Sequence, residues 1–205
     1  MARKRTYTKR ARAAGEKRTR ASIIGATLAL WAEAGPAATT ISEIARRASV
    51  QRLTVYRHFE DDATLAAAAW AAFLDQQPRP DPADWAAIGS QKKRLRRALR
   101  NVYAYYTRAG DVLANVLHDA PRVPALEEAV AGHEHWLDGV VATLEPAWKP
   151  RGGKRDASLP VMLLEHAAML STWRSLGRAG LDERGAARFI ERCMRGLARK
   201  GTKTS

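Results

Sequence analysis

Apolar side chains recur every three or four positions along most of this chain, the spacing of helices that bury one face. Ile23, Leu28 and Trp31 follow this spacing in a first helix, which ends at Gly35 and Pro36. Stripes of the same period continue to near the C-terminus, and no convincing alternation of apolar and polar residues, the pattern of a half-buried strand, interrupts them. The pattern therefore predicts an all-α fold.

Proline residues and runs of charge divide this helical pattern into four segments. Residues 1–16 lie in a block, 1–20, that carries nine Lys/Arg and one Glu. Such a block repels itself, so the first segment is predicted to be a disordered basic arm. Residues 17–76 are predicted to form a small first domain. Residues 77–84, with three prolines in five positions, are predicted to be a linker, and 85–200 a second helical domain.

Residues 40–59 of the first domain indicate two short helices joined by a tight turn. The first of them, "TISEIARRA", can be capped at its start by Thr39 or Thr40. Ile44 lies on its inner face, and Ala45 is small, as the crossing of two helices requires. In a helix-turn-helix unit the second helix then lies across the first at about 90–120°.

The second helix of this unit, within "ASVQRLTVYRHF", has an inner and an outer face. Val50, Thr54 and Val55 are spaced to point inward at the crossing. The outer face suits the major groove of DNA, because long polar side chains there reach base edges and phosphates. That outer face consists of Gln51, Arg52, Leu53, Tyr56, Arg57 and His58.

The stretch "TTISEIARRASVQRLTVYRHFEDDATL", from Thr39 to Leu65, resembles the TetR family of bacterial one-component regulators. The family pattern is T-x-x-x-I-A-x-x-A-G-V-S-x-x-T-L-Y-x-H-F-x-x-K-x-x-L, and the resemblance covers roughly residues 17–76. It implies a helix-turn-helix DNA-binding domain followed by a helical domain that dimerises and binds an effector. The expected function is that of a transcriptional repressor. It would bind a palindromic double-stranded DNA operator as a homodimer, and a small, mostly apolar effector would release it.

The resemblance also assigns roles to individual residues. Arg52 would contact a guanine and Leu53 a thymine methyl group, while Tyr56 and His58 match the family's phosphate-binding pair. Thr40 would cap the second helix and touch a phosphate. The complete predicted DNA-binding set is Thr40, Gln51, Arg52, Leu53, Thr54, Tyr56, Arg57 and His58, together with Arg3 and Arg5 of the arm.

Two positions depart from the family pattern. Ser49 replaces the usual glycine of the turn, so it must adopt a backbone conformation that is unfavourable by about 1 kcal/mol for a residue with a Cβ. Asp62 replaces the usual lysine. An aspartate suits the N-terminus of a helix but cannot hold a phosphate, and the basic arm is the expected compensation.

The resemblance implies that the second domain contains both an effector cavity and a dimer interface. Aromatic side chains at helical spacing are first of all core residues, but they also suit an apolar ligand, with His166 offering one orienting hydrogen bond. The last two helices, at about 158–177 and 183–199, carry more apolar surface than they can hide. A dimerising domain without any effector is an alternative. The predicted cavity residues are Tyr103, Tyr106, Trp136, His166, Met169 and Trp173, and the predicted interface residues are Met162, Leu170, Phe189, Ile190, Cys193, Met194 and Leu197.

The composition bears on partners and location. A formal net charge of +14 favours phosphate backbones or anionic membrane surfaces as partners. A basic architectural DNA-binding protein, or a membrane-surface protein without sequence specificity, is therefore the competing interpretation. Cys193 is the single cysteine, which excludes a disulfide framework within the chain and fits a reducing cytoplasm. The basic N-terminus lacks the apolar region of a secretory signal, and no apolar run approaches the ~18 residues of a membrane span.

Little in the sequence indicates catalysis or a bound metal. His133 and His135 are two positions apart on a predicted helix and face different ways, so no metal site is predicted. No Ser-His-Asp arrangement, phosphate loop or paired carboxylates stand out, so neither an enzyme nor a cofactor is predicted. The basic cluster within residues 92–100 is interpreted as a solvated helix face.

Overall fold

The computed structural model describes residues 2–148 and 158–200, and within those ranges the chain forms helices and no strands. The predicted all-α fold is thereby confirmed. Short 3-10 turns occur at Pro36–Ala38, Ala120–Arg122, Pro124–Leu126 and Glu145–Ala147. The helices are α1 (Ala2–Ala34), α2 (Ile41–Arg47), α3 (Arg52–His58), α4 (Asp62–Gln76), α5 (Ala83–Ala86), α6 (Gln91–Asp119), α7 (Glu127–Leu144), α8 (Leu159–Ala168), α9 (Leu170–Arg178) and α10 (Glu183–Lys200).

Two compact units make up the chain. The first consists of Met1–Gln76 together with Gly110–Val130, and the second of Gln77–Ala109 together with Ala131–Ser205. This division differs from the predicted one, in which everything after residue 84 formed a single domain. Helix α6 therefore contributes to both units, and Gly110, at the division, has φ 53° and ψ −140° instead of helical angles.

Polar contacts at the end of α1 explain why the segment after Gly110 belongs to the first unit. The last carbonyls of a helix lack partners within it. The amide of Asn115 donates to two of those in α1, at 2.8 Å to the Trp31 oxygen and 3.1 Å to the Ala32 oxygen. Asp119 is 5% exposed, and its carboxylate accepts the backbone N–H of Ala37 at 2.8 Å.

Gly35 is required where α1 ends. Its φ of 85° is unfavourable for any residue with a Cβ, and such a Cβ would lie 2.5 Å from Oδ2 of Asp119. The glycine that the sequence indicates as a helix stop thus also makes room for a buried carboxylate.

The core of the first unit unites its first four helices. Buried apolar side chains from α1, α2 and α4 surround Val55 of α3 and Phe59, which are 1% and 2% exposed. The surrounding set includes Ile23, Ala26, Leu30, Ile44, Ala45, Ala48 and Leu65.

The predicted linker, residues 77–84, is packed into the second unit. Arg79 donates through Nη1 to the Gly132 oxygen at 2.8 Å, and the indole of Trp136 donates to the Pro80 oxygen at 2.9 Å. Trp85 of α5, just after this segment, is 1% exposed. The prolines stop a helix without freeing the chain, because Trp136 of α7 donates to the Pro80 oxygen and Arg79 donates to a backbone oxygen of α7.

The predicted arm, residues 1–16, differs as well, because α1 begins at Ala2 and runs unbroken into the first unit. Alanine, arginine and lysine all have high helix propensity. Arg12 and Glu16, four positions apart, also form an ion pair at 3.5 Å. Arg3 and Arg5 lie on this helix, but their side chains are outside the described part of the structure.

One long helix was predicted from about residue 158 to 177, and the structure instead has α8 and α9 with a break at Met169. Met169 has extended angles, φ −72° and ψ 144°. Two buried tyrosines explain how the break is accommodated. The hydroxyl of Tyr103 donates to the Ala167 oxygen at 2.8 Å, and that of Tyr106 donates to the Ala168 oxygen at 2.6 Å. Burial raises the pKa of both hydroxyls, so they remain protonated donors.

Candidate nucleic-acid interface

The start of α2 is held by a reciprocal capping box. The hydroxyl of Thr40 accepts the backbone N–H of Glu43 at 3.3 Å, and the Glu43 carboxylate accepts the backbone N–H of Thr40 at 3.2 Å. The predicted cap at Thr40 is therefore confirmed. The capping pair satisfies two backbone donors at the beginning of a helix of only seven residues.

The turn between α2 and α3 is a Schellman motif. The N–H of Val50 bonds to the Ala45 oxygen at 2.9 Å, and the N–H of Ser49 bonds to the Arg46 oxygen at 3.2 Å. Ser49 has φ 56°, the left-handed conformation expected at the position where the family pattern has glycine. Its side chain is exposed, so the strain is local to the backbone.

Helix α3 buries one side and presents the other to solvent. Val55 is 1% exposed, whereas Leu53 is 75% and Tyr56 44% exposed. Gln51, Arg52 and Arg57 are exposed too, while Thr54 and His58 are half-buried. Seven of the predicted DNA-binding residues therefore lie on α3 or at its N-cap. They are Gln51, Arg52, Leu53, Thr54, Tyr56, Arg57 and His58.

The arginines near α3 differ in how they are engaged. Arg47 of α2 is held by Glu33 of α1 through two hydrogen bonds of 2.5 and 2.6 Å. This pairing lowers the pKa of Glu33 and raises that of Arg47. Arg52 and Arg57 make no ion pair with any carboxylate of the described residues, so their guanidinium groups are available to an external anion.

Arg20 fastens the C-terminal end of α3 and was not singled out from the sequence. Its guanidinium lies 4.3 Å from the centroid of the Phe59 ring, and Nη1 donates to the His58 oxygen at 3.4 Å. A cation at a helix C-terminus interacts favourably with the partial negative charge there. Only the fold brings Arg20 to His58, 38 positions further along the chain, so the sequence carried no signal for the contact.

The start of α4 is occupied by its own carboxylate. Asp61 accepts the backbone N–H of Thr64 at 2.7 Å, and this bond holds the pKa of Asp61 below its usual value. Asp62 begins the helix. Two carboxylates therefore lie at the N-terminus of α4, at and next to the position where the family pattern has a lysine.

Comparison with known proteins agrees with this geometry. Residues 23–69 match the family model described as bacterial regulatory proteins, tetR family. The chain carries the DNA-binding domain of the tetR family. No curated protein sequence matches the chain.

Solved structures share the fold of this chain at low sequence identity. A TetR-like transcriptional regulator from Rhodococcus sp. RHA1 is 16% identical, with a TM-score of 0.62 over 91% of this chain and 97% of that one. NalD, the secondary repressor of the MexAB-OprM multidrug efflux pump in Pseudomonas aeruginosa, is 20% identical, with a TM-score of 0.58 over 88% and 95%. The multidrug binding protein EbrR, complexed with imidazole, is 20% identical, with a TM-score of 0.54 over 87% and 93%.

The structure places the six predicted cavity residues in different environments. Tyr103, Tyr106 and Trp136 are buried, and their polar atoms already bond to backbone oxygens of the second unit. His166 is exposed, with Nδ1 2.9 Å from the Met162 oxygen of its own helix, and Met169 is 40% exposed. Trp173 is half-buried and stacks on Tyr103 with ring centroids 5.0 Å apart. The break at Met169 explains the difference, since it changes which residues of this segment face inward.

The histidine that lies beside the aromatic rings of Tyr106 and Trp136 is His133 and not, as predicted, His166. It is 2% exposed, and its ring centroid lies 5.4 Å from that of Trp136 and 6.3 Å from that of Tyr106. Its Nδ1 has no hydrogen-bond partner among the described residues. Burial, with a smaller contribution from Arg79, lowers the pKa of His133 to about 4, so the imidazole is neutral at pH 7.

The predicted dimer-interface residues also divide into two groups. Ile190 and Met194 are 4% and 1% exposed within their own unit, so they cannot present a surface to a second chain. Met162 and Phe189 are 49% and 39% exposed. Leu170, Cys193 and Leu197 are half-buried. Helix α10 thus has a buried apolar face and, beside it, an exposed apolar face. The sequence pattern alone did not show which residues belong to which face.

Neither a metal centre nor a membrane span is found in the part of the chain that is described. No three or more His, Cys, Asp or Glu side chains of residues 2–148 and 158–200 come together in a group that could hold a metal ion. None of the helices in those ranges has the length and apolarity that crossing a membrane requires.

The strained turn yields the first prediction. Ser49→Gly should raise the free energy of unfolding by about 1 kcal/mol, because glycine adopts a positive φ without steric cost. Ser42→Gly is the matched control. It introduces glycine at an exposed position inside α2 and should lower the free energy of unfolding by about 0.5 kcal/mol. Urea denaturation of both variants measures the difference, and equal effects would contradict the assigned role of Ser49.

Proposed function

We propose that this tetR-type protein is a transcriptional repressor that binds a palindromic operator as a homodimer and leaves it when a small, mostly apolar molecule binds the second unit. The observation that carries the proposal is the outer surface of α3. It combines unpaired arginines with an exposed leucine on a helix whose other side is buried.

Leu53 is the residue that favours sequence-specific DNA binding over non-specific electrostatic binding. A protein that binds any phosphate backbone needs cations and polar groups, and a leucine that is 75% exposed would serve no purpose for it. An aliphatic side chain beside Arg52 suits a base edge, where it contacts a thymine methyl group while the arginine bonds to guanine O6 and N7. Both residues lie in the first turn of α3, the part of a recognition helix that reads bases.

Contacts to the phosphates would come from the flanks of α3. Tyr56 is 44% exposed, and His58 lies at the C-terminal end of the helix. Thr40, at the start of α2, is a further candidate for a phosphate contact, although its hydroxyl donates to the Glu43 carboxylate at 2.9 Å and would have to exchange that partner. Such contacts fix the orientation of the protein on the duplex without selecting a sequence.

A single recognition helix contacts only a few base pairs, and this supports binding as a dimer. Two copies related by a two-fold axis would place two α3 helices on half-sites about one helical turn of DNA apart. Met162 of α8 and Phe189 of α10 supply exposed apolar side chains for such an isologous contact. Leu159, which is 43% exposed, extends the same surface on α8.

The effector proposal rests on the aromatic cluster around His133. The rings of Tyr106 and Trp136 lie beside the imidazole, Tyr105 packs edge-on against Trp136, and Nδ1 of His133 has no partner in the described part of the chain. A buried polar atom without a partner is unfavourable, so a ligand that bonds to it gains free energy. NalD and EbrR, which share this fold, are described by reference to multidrug efflux and multidrug binding. Entry of a ligand requires the rings to part, and the ligand acts by preferring that arrangement.

The base-reading proposal is tested with Arg52. An operator is first selected from a random duplex pool, and Arg52→Ala should then weaken operator binding by about 1–3 kcal/mol and relax preference at one base pair. His58→Ala should weaken operator and scrambled DNA alike. Arg108→Ala, an exposed arginine of the second unit, is the control. Equal, sequence-blind losses from Arg52 and His58 would exclude the base contact.

The same titrations test the competing architectural function. Affinity should fall with salt for both operator and scrambled duplexes, but a gap between them should persist at every salt concentration. If the gap is absent from the start, the protein binds DNA by charge alone and the repressor proposal fails.

The dimer proposal is tested at exposed positions only. Met162→Glu with Phe189→Glu should convert the dimer to a folded monomer that binds the operator poorly, because one half-site forfeits half of the contacts. Ser175→Glu, at an exposed position of α9, should leave the dimer intact. Ile190→Glu should instead unfold the second unit, since that residue is buried. A monomer in sedimentation of the unmodified protein at micromolar concentration would overturn the model.

The effector proposal is tested with the two histidines of α7. Apolar compounds that release operator DNA should quench tryptophan emission over the same concentration range. His133→Leu should weaken both effects at least tenfold, whereas His135→Leu, at an exposed position, should change neither. If an active compound binds both variants like the unmodified protein, the effector site lies elsewhere. If no apolar compound releases DNA, a plain dimerising role for the second unit is favoured.

A further inference from the structure

A groove lined by arginines runs between α6 and α10 in the second unit. It consists of two adjoining cavities of about 400 and 260 Å³, and Arg96 and Arg188 line both of them. Apart from Ala187, Leu181 and Gly185, every lining residue is an arginine. The arginines are Arg96, Arg97 and Arg100 of α6 and Arg184, Arg188, Arg192 and Arg195 of α10.

Two of the seven arginines are held by one buried carboxylate. Glu191 is 0% exposed, and its Oε2 accepts from Nη2 of Arg96 at 2.7 Å, while Nε of Arg195 lies 2.8 Å from Oε1. A buried carboxylate without a partner would be strongly destabilising, so these pairs are required for folding. Glu191 thereby joins the two walls of the groove and fixes where their arginines stand.

The remaining five arginines have no such partner. None of Arg97, Arg100, Arg184, Arg188 and Arg192 forms an ion pair with a carboxylate of the described residues.

The nearest acidic residues of α10 and the loop before it are engaged elsewhere. Glu183 accepts the hydroxyl of Thr107 at 2.9 Å, and Asp182 accepts the backbone N–H of Gly185 at 2.7 Å. The groove therefore holds a clear excess of positive charge.

The spacing of the arginines makes this excess unfavourable for the protein alone. Arg184, Arg188 and Arg192 follow one another at four-residue intervals, so they are stacked along one face of α10. Arg96 and Arg100 repeat the interval on α6. Like charges at this spacing destabilise a helix. Placing the arginine row of α6 opposite that of α10 adds further repulsion, which a purely solvated surface would have no reason to keep. Features that oppose stability in this way are typical of functional sites.

We propose that this groove binds a small molecule that carries a chain of two or more phosphate groups. Guanidinium groups bond to phosphate oxygens in pairs and stay charged at every physiological pH, which suits a multiply charged anion. A volume of about 400 Å³ lies within the range of small-molecule sites. The site is distinct from the aromatic cluster around His133, and it does not depend on the operator or effector proposals.

The groove differs from the helix face that the sequence suggested. The basic cluster at residues 92–100 was interpreted as solvated, and its lysines, Lys92 and Lys93, are indeed exposed and do not line the groove. Arg94 donates to the Ile88 oxygen, whereas Arg96, Arg97 and Arg100 line the groove beside α10, and Arg96 reaches Glu191, 95 positions further along the chain. Only the packing of α6 beside α10 shows that the arginines of the two helices lie opposite each other.

The proposal is tested by calorimetry with sodium tripolyphosphate and pyrophosphate, using sulfate and inorganic phosphate at equal ionic strength as comparisons. Tripolyphosphate should bind at least tenfold more tightly than sulfate and raise the melting temperature. ATP supplies a second arm. Affinity equal to that of tripolyphosphate would show that the phosphate chain alone is recognised, and tighter binding would show that the groove also accepts a nucleoside. Tripolyphosphate binding no tighter than sulfate would overturn the proposal.

Matched arginine pairs separate this site from general charge. Arg184→Gln with Arg188→Gln should weaken tripolyphosphate binding at least tenfold. Arg174→Gln with Arg178→Gln removes the same charge from exposed positions of α9 and should leave binding unchanged. Equal losses from the two pairs would show that the anion responds only to net charge, which would contradict a built site.

A further control concerns folding and DNA. Arg192→Gln alone should weaken tripolyphosphate binding severalfold, and its melting temperature without ligand should match that of the unmodified protein. A DNA duplex is the other polyanion that an arginine groove attracts, so scrambled DNA is titrated against both pairs of variants. If the groove variants lose DNA affinity while tripolyphosphate never binds, the groove is a DNA-contacting surface and the proposal is wrong.

Discussion

A helix of seven residues is not stable in water by itself, so the recognition surface of this protein depends on the burial of Val55 and Phe59. These two side chains join the core formed with α1, α2 and α4. Arg20 then covers the Phe59 ring and bonds to the last carbonyl of α3. The buried face of α3 fixes the orientation of the helix and therefore of its exposed face. The residues that would touch DNA are thus held in place without contacts to one another.

The same dependence extends to the end of α1, which also has to be held in place. Asn115 and Asp119 come from the last turns of α6 and satisfy backbone groups at Trp31, Ala32 and Ala37. The first unit is therefore not a self-contained N-terminal segment, because chain from beyond residue 110 completes it. A change in the backbone at Gly110, where the helix departs from helical angles, acts directly on the segment that carries these two side chains. This covalent connection is the simplest physical route by which events after residue 76 could reach α1.

The sequence allowed the helix-turn-helix unit to be predicted in detail because its signals are local. Capping at Thr40, left-handed geometry at Ser49 and the inward Val55 all follow from neighbours within a few positions. The break at Met169 could not be predicted in this way. It depends on hydroxyl groups of Tyr103 and Tyr106, more than 60 positions away, which take up the carbonyls that the break releases.

The same limit applies to the faces of the second unit. His133 and His166 both lie on helices with apolar residues, and only the packing distinguishes the buried one from the exposed one. Ile190 and Phe189 are adjacent in the sequence and point in different directions. Periodicity indicates that a helix has an apolar face, but α10 has two neighbouring apolar faces, one for its own core and one exposed. Only the position of the other helices decides which residues belong to each.

The second unit carries two groups that its own residues leave incompletely satisfied, and they are chemically opposite. Around His133 the environment is mostly aromatic, with the Arg79 guanidinium nearby, and burial keeps the imidazole neutral and leaves its Nδ1 without a partner among the described residues. Between α6 and α10 the arginines keep their charge, and a single buried carboxylate pairs with two of them while offsetting only one positive charge. A neutral apolar molecule would gain nothing in the arginine groove, and a polyanion could not enter the aromatic cluster without losing its hydration. The two proposed sites would therefore take different classes of molecule, and both lie in the same helical unit.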